Sequence, residues 1–128
     1  MLAASHRPLV FAACDTGFAP IRSLIEHAQS VDASPSMSLY WLATRSDGHF
    51  QANQCRAWSE ALDSFEYAAL SESDPGVGAQ QVAIAIRADQ FDIDCDFYLA
   101  GPAAFVTPLA AMLLESGVPA AQIAAEVV

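Results

Sequence analysis

The chain has 128 residues, of which 54% are hydrophobic, so it is long enough for one domain with a proper core. Its formal net charge is -10, and the five basic residues are all arginines. Because binding to a phosphate backbone needs a basic patch, this charge argues against nucleic acid as a partner.

The sequence also argues against a membrane partner. No apolar run approaches the roughly 20 residues that span a bilayer, and an acidic surface repels anionic lipid. The N-terminal residues MLAASHRP lack the basic region and the long apolar core of a secretory signal. We therefore expect a soluble cytoplasmic protein.

The first predicted unit is a strand, a turn and a helix. Residues 9–13 form an apolar run, and Thr16 and Gly17 make a turn that leads into an amphipathic helix with Pro20 in its first turn. The apolar face of this helix consists of Phe18, Ile21, Leu24, Ile25 and Ala28. The backbone N–H groups at the start of such a helix favour an anion, so the pattern predicts a phosphate cradle.

Asp15 conflicts with that cradle. A carboxylate about 4 Å from a phosphate charge would cost roughly 1 to 4 kcal/mol, depending on local screening. The alternative is that the Asp15 side chain turns to solvent or caps the helix N-terminus, where it would itself occupy the anion site.

The rest of the chain alternates between strands and helices. Further strands are predicted at residues 38–43, 65–70, 97–100 and 123–128, and helices at residues 49–62 and 103–116. In the last helix, Pro108 predicts a kink or a restart with Thr107 as the cap. The alternating residues 82–86 are predicted to be helical because of their alanines, and residues 71–78 are predicted to be a loop.

This order predicts an α/β fold of three layers, α/β/α, with a doubly wound, five-stranded parallel sheet of Rossmann-like type in a single domain over residues 1–128. Ligands of such sheets bind at the carboxyl ends of the strands, where the strand order reverses. The turn at residues 15–17 and the turn at Gly101 and Pro102 both lie at such ends.

No metal or cluster site is expected. Cys14, Cys55 and Cys95 are far apart in sequence and are interpreted as small buried hydrophobic residues. The aspartates in residues 89–96 are interpreted as a solvated loop, with a weak cation site as the alternative.

Three segments together resemble a known family. They are DTGFAPIRSLIEHA at residues 15–28, SLYWLATR at residues 38–45 and DFYLAGPAAFV at residues 96–106. Their order and spacing are similar to those of the nicotinamide-binding, C-terminal domain of the ferredoxin-NADP reductase superfamily. Within that superfamily, the segments look most like those of bacterial oxygenase reductases and CDP-6-deoxy-delta-3,4-glucoseen reductase-like proteins.

The resemblance implies a cofactor site with three parts: a pyrophosphate turn, a strand end at residues 43–45 that faces the adenosine ribose, and a turn beside the nicotinamide ring. The matching residues in this chain are Cys14, Asp15, Thr16, Gly17, Pro20, Arg45, Ala100, Gly101 and Pro102. Family members have two glycines where this chain has Cys14 and Asp15, and often an aromatic residue where this chain has Val128.

The resemblance also implies an activity, namely binding of NAD(P)H within a flavin-dependent electron-transfer oxidoreductase. The Arg-x-Tyr-Ser/Thr motif of the flavin-binding barrel is missing from these 128 residues. FAD would therefore be held by a partner domain, in cis or in trans. The expected protein partner is this flavin-binding domain or an electron-transfer protein. Because residues 74–78 contain no basic residue, NADH is favoured over NADPH. The alternative is a catalytically inactive domain of the same fold that binds neither cofactor and serves in binding, regulation or assembly.

Overall fold

The computed structural model describes residues 8–31, 36–44, 65–89 and 95–128. Five strands and three helices lie in these ranges: β1 at Leu9–Cys14, α1 at Phe18–Val31, β2 at Met37–Ala43, β3 at Phe65–Ser71, α2 at Pro75–Asp89, β4 at Asp96–Gly101, α3 at Ala103–Glu115 and β5 at Ile123–Val127. The predicted helix at residues 49–62 falls outside the described residues.

The five strands form one parallel sheet in the order β3-β2-β1-β4-β5. This confirms the predicted doubly wound α/β fold. The chain runs from β1 outward to β3, then crosses back and continues on the other side of β1. The strand order therefore reverses between β1 and β4, which lie side by side at the centre.

Side chains of the central strands are buried on both faces of the sheet, as expected for parallel strands covered by helices. All six residues of β1 and all six of β4 are buried. On one face, Phe11 and Trp41 pack with α1 residues such as Ile25. On the other face, Val10 and Leu99 belong to a cluster that includes residues of α2 and α3.

The start of α2 corrects the predicted loop at residues 71–78, because the helix already begins at Pro75. The Asp74 carboxylate accepts hydrogen bonds from the Gly76 N–H at 2.8 Å and the Val77 N–H at 3.3 Å. This is an N-cap followed by proline at the first helical position, a favourable start for a helix. Gly78 then allows close packing, since a Cβ there would lie 2.3 Å from a methyl carbon of Leu42.

The prediction that the last helix restarts at Pro108 is wrong. The helix α3 is continuous, and Thr107 is an exposed residue within it instead of a cap. Proline removes one backbone hydrogen bond from a helix interior. Burial of an apolar face by Phe105, Val106, Leu109 and Leu113 offsets that loss.

The region before β4 differs from the predicted solvated loop at both ends. Asp96 is fully buried and is the first residue of β4, while Asp89 is the last residue of α2. The Asp89 carboxylate accepts a hydrogen bond of 3.0 Å from the Tyr40 hydroxyl. Asp92 and Asp94 lie outside the described residues.

Candidate functional site

Two turns meet at the carboxyl edge of the sheet, beside the point where the strand order reverses. The first is the 3-10 turn Asp15–Gly17 after β1, and the second joins β4 to α3 through Gly101 and Pro102. The pairing of Ala13 with Ala100 places these two strand ends side by side. This is where doubly wound sheets bind their ligands.

Gly17 brings the two turns into contact. A Cβ at this position would lie 2.3 Å from the carbonyl oxygen of Ala100 and 2.8 Å from the Cα of Gly101. Both neighbours are backbone atoms, which cannot move aside as a flexible side chain could. Only glycine fits between the start of α1 and the end of β4.

Gly101 is constrained on two sides. Its φ is +154°, and a Cβ would lie 2.8 Å from the Cβ of Cys14 and 3.2 Å from the Phe105 ring. Its carbonyl accepts a 3.0 Å hydrogen bond from the Val128 N–H. Val128 is thereby held beside the turn.

Asp15 joins the first turn to the end of β2. Its Oδ1 accepts a hydrogen bond of 2.9 Å from the Thr44 N–H, and its Oδ2 accepts one from the Thr44 hydroxyl. Its backbone carbonyl accepts a 3.1 Å bond from the Trp41 indole N–H. The Trp41 ring in turn stacks on Phe18, with ring centroids 4.1 Å apart.

The Asp15 side chain neither turns to solvent nor caps the N-terminus of α1, so both predicted alternatives are wrong. The side chain is partly buried, and its carboxylate oxygens bond to Thr44 instead of the N-terminal N–H groups of α1. The backbone adopts a left-handed conformation, with φ of +52°. Aspartate tolerates this region better than most residues, and the bonds to Thr44 and Trp41 hold it there.

Cys14 lies at the end of β1 and is completely buried. Burial, the negative charge of Asp15 and a hydrogen bond to Asp15 together raise the pKa of its thiol from 9.0 to about 12, with burial the largest cause. The thiol is therefore neutral at physiological pH. The interpretation of Cys14 and Cys95 as buried hydrophobic residues is confirmed, while Cys55 lies outside the described residues.

An open groove lies on the α1 face of the sheet, next to β5. Its volume is about 370 Å³, and Pro20, Leu24, Ala100, Ala125 and Glu126 are among the residues that line it. Two of these, Pro20 and Ala100, were predicted site residues. The contribution of β5 was missed, although its small residues Ala124 and Ala125 are the sequence signal for a shallow floor.

The structure thus brings together most of the predicted site residues. Cys14, Asp15, Thr16 and Gly17 form the first turn, Pro20 lies in the first turn of α1, and Ala100, Gly101 and Pro102 form the second turn. Arg45 lies outside the described residues. Within residues 8–31, 36–44, 65–89 and 95–128, no three His, Cys, Asp or Glu side chains are grouped so as to hold a metal ion.

The sequence comparison decides the family. Residues 11–110, more than half of the chain, match the family described as the oxidoreductase NAD-binding domain. The chain belongs to this family. Among curated proteins, the domain is 33% identical over 70 residues to protein RfbI of Salmonella typhimurium, a match that covers 55% of this chain and 21% of RfbI.

Solved structures show the same fold in larger proteins. A ferredoxin NADP+ reductase from Neisseria gonorrhoeae, solved with bound FAD and NADP, matches with a TM-score of 0.75 and 18% identity, over 97% of this chain and 57% of that chain. The FAD/NAD binding domain of a nitric oxide dioxygenase from Vibrio cholerae matches with a TM-score of 0.73 and 18% identity, over 97% and 52% respectively. The Amycolatopsis cytochrome P450 reductase GcoB matches with a TM-score of 0.75 and 16% identity, over 94% and 37%.

The domain therefore spans about half or less of the length of these relatives. In the part of the chain that the structure describes, no helix is both long enough and apolar enough to cross a membrane.

Proposed function

We propose that this domain binds NAD(P)H and presents its nicotinamide ring to a flavin held by a partner domain, in cis or in trans. The observation that supports this most directly is the contact between the two turns at Gly17 and Ala100. It brings the two turns together at the switch point of a parallel sheet, on a chain that belongs to the NAD-binding family.

The residues of the two turns suit a dinucleotide. The backbone N–H groups at the start of α1 would bind the pyrophosphate, helped by the positive end of the helix dipole. Thr16 and Gly17 form the turn that positions these backbone N–H groups. Ala100, Gly101 and Pro102 would bound the nicotinamide pocket, because small residues let the ring approach the backbone. The bound cofactor supplies a hydride, and the protein positions the ring that gives it up.

The flavin must come from outside these 128 residues, since they contain no flavin-binding motif and no side chain accepts a hydride. The three matched structures are an FAD/NAD binding domain and two reductases, and the domain covers 57% or less of each. We propose that the groove beside β5 is the side from which the flavin domain approaches. Glu126 of β5 lines this groove and is exposed.

The experiment is a calorimetric titration of the purified domain with NADH and NADPH, with two matched variants. Ala124→Trp places a large ring in the groove, because Ala124 pairs with Tyr98 on the α1 face of the sheet. Ala111→Trp places the same ring on an exposed position of α3, on the opposite face. We expect saturable binding to the wild type at micromolar to submillimolar concentration. Ala124→Trp should weaken it at least about tenfold, a loss of about 1.4 kcal/mol.

Ala111→Trp should bind as the wild type does. If neither cofactor gives heat at millimolar concentration, the dinucleotide proposal is wrong. Equal losses of cofactor affinity in the two tryptophan variants would mean that the nicotinamide ring does not bind in the groove.

A further inference from the structure

Asp15 places a negative charge beside the end of β2. Its two carboxylate oxygens accept hydrogen bonds from the N–H and the hydroxyl of Thr44, the residue that directly follows β2. The carboxylate is therefore held at the end of β2 and does not cap the N–H groups at the start of α1.

The carboxylate is also held in one place. The Trp41 indole fixes the Asp15 carbonyl, and Thr44 fixes both carboxylate oxygens. A flexible surface acid could swing away from an incoming anion, but this one would have to break its two hydrogen bonds to Thr44.

A second acidic residue flanks the same strand end. Glu72 follows β3, and its backbone N–H donates a 3.0 Å hydrogen bond to the carbonyl of Ala43, the last residue of β2. The Glu72 carboxylate bonds toward α2 instead, where it accepts hydrogen bonds from the Asp74 N–H at 3.4 Å and the Gln81 side-chain amide at 3.2 Å. Asp15 is therefore the acid whose carboxylate contacts Thr44.

We propose that Asp15 determines the cofactor specificity of the domain: its fixed carboxylate accepts a hydrogen bond from a hydroxyl of the adenosine ribose and repels a phosphate on that ribose. This rests on the dinucleotide function proposed above. An ionised carboxylate can only accept hydrogen bonds, so a free ribose diol can satisfy it and a phosphate cannot. Acidic residues that bond the ribose hydroxyl are the usual device for selecting NADH in doubly wound folds, although they commonly follow the second strand. Here a residue that follows β1 reaches that place.

The test is the ratio of the NADPH and NADH dissociation constants, measured for the wild type, Asp15→Asn and Glu26→Gln. Asparagine keeps the shape of the side chain and its acceptor for the Thr44 N–H but removes the charge. Glu26 is an exposed acid of α1 that pairs with Arg22 at 3.2 Å, so Glu26→Gln changes the net charge equally at a distant place.

We expect the wild type to bind NADH at least about tenfold more tightly than NADPH, from the repulsion between two charges a few ångströms apart. Asp15→Asn should lower that preference about tenfold, while Glu26→Gln should leave it unchanged. Wild-type protein that prefers NADPH, or an Asp15→Asn ratio equal to that of the wild type, would overturn the proposal.

A measurement on the wild type alone covers the case in which Asp15→Asn does not fold. Added salt screens the repulsion of a partly exposed carboxylate, so the NADH preference should shrink between about 0.02 M and 0.5 M salt. A ratio that does not depend on salt would count against a charge effect. NADH binding with an unchanged ratio would leave the dinucleotide function standing, whereas absence of binding by both cofactors would overturn both proposals.

Discussion

At the scale of single residues, Asp15 affects Cys14 as well as Thr44. The buried Cys14 thiol lies next to the partly buried carboxylate, with Sγ and Oδ2 3.9 Å apart. Both burial and the neighbouring charge disfavour the thiolate, which raises the pKa of Cys14 to about 12. Cys14 is therefore a poor nucleophile at physiological pH, in spite of its place at the candidate site.

The raised pKa predicts a pH dependence of stability. The ordinary value is 9.0, so the folded state binds this proton more tightly than the unfolded state does. The contribution is fully present below pH 9 and is lost as the pH rises from there toward about 12. At pH 10 we expect the free energy of unfolding to be lower than at pH 8 by roughly 1 kcal/mol through this group.

Urea unfolding of the wild type and Cys14→Ala at pH 8 and pH 10 isolates this effect from other groups that titrate. The alanine variant should lose less stability between the two pH values than the wild type. Equal losses would show that the Cys14 proton does not differ between the folded and unfolded states. Mapping of alkylated peptides should also find Cys14 unmodified in the native protein.

At the scale of secondary-structure elements, α2 depends on its cap. The Asp74 carboxylate satisfies two of the N–H groups at the start of a helix whose first four residues include two glycines. Glycine is a weak helix former, so the cap has more to compensate here than in most helices.

We expect Asp74→Ala to lower the free energy of unfolding by about 1 kcal/mol, the usual cost of removing such a cap. Chemical unfolding would measure it, and Ser73→Ala is the control, because Ser73 is an exposed neighbour in the same loop. A loss of the same size in both variants would mean that the loop, and not the cap, is sensitive to substitution.

The same helix shows what the sequence could predict and what it could not. All five strands were predicted within about a residue of their observed ends, because runs such as LVFAAC are apolar throughout and buried on both faces. The start of α2 was missed because Gly76 and Gly78 suggested a turn, although Asp74 and Pro75 form a capping signal. Tight packing of Gly78 against Leu42 depends on tertiary structure and cannot be read from local preference.

The sequence predicted the turns of the candidate site but not the tertiary contacts that its residues make. Residue order alone indicated that the segments at Gly17 and Gly101 meet at one edge of the sheet. The Asp15 bond to Thr44 spans 29 residues and requires β1 and β2 to be neighbours with a specific register. The Asp96 burial and the groove along β5 likewise depend on how elements pack, so local composition did not indicate them.

At the scale of the whole molecule, the domain covers between 37% and 57% of three of its larger relatives. We expect the 128-residue chain, given NADH and ferricyanide, to oxidise NADH no faster than buffer does, because no flavin mediates the transfer. Absorbance of NADH measures this, and an intact flavin-containing relative is the positive control. Turnover by the chain alone would contradict the assignment of the flavin to a partner domain.

The Trp41 ring, which stacks on Phe18, also provides a fluorescence signal for cofactor binding at the first turn. Trp41 is fully buried and donates its indole hydrogen to the carbonyl of Asp15, within the turn expected to hold the dinucleotide. The chain contains two tryptophans, so Trp58→Phe leaves Trp41 as the single indole fluorophore. The emission of Trp41 overlaps the absorption band of a reduced nicotinamide. Energy transfer from Trp41 to the nicotinamide would therefore report cofactor binding without any added label.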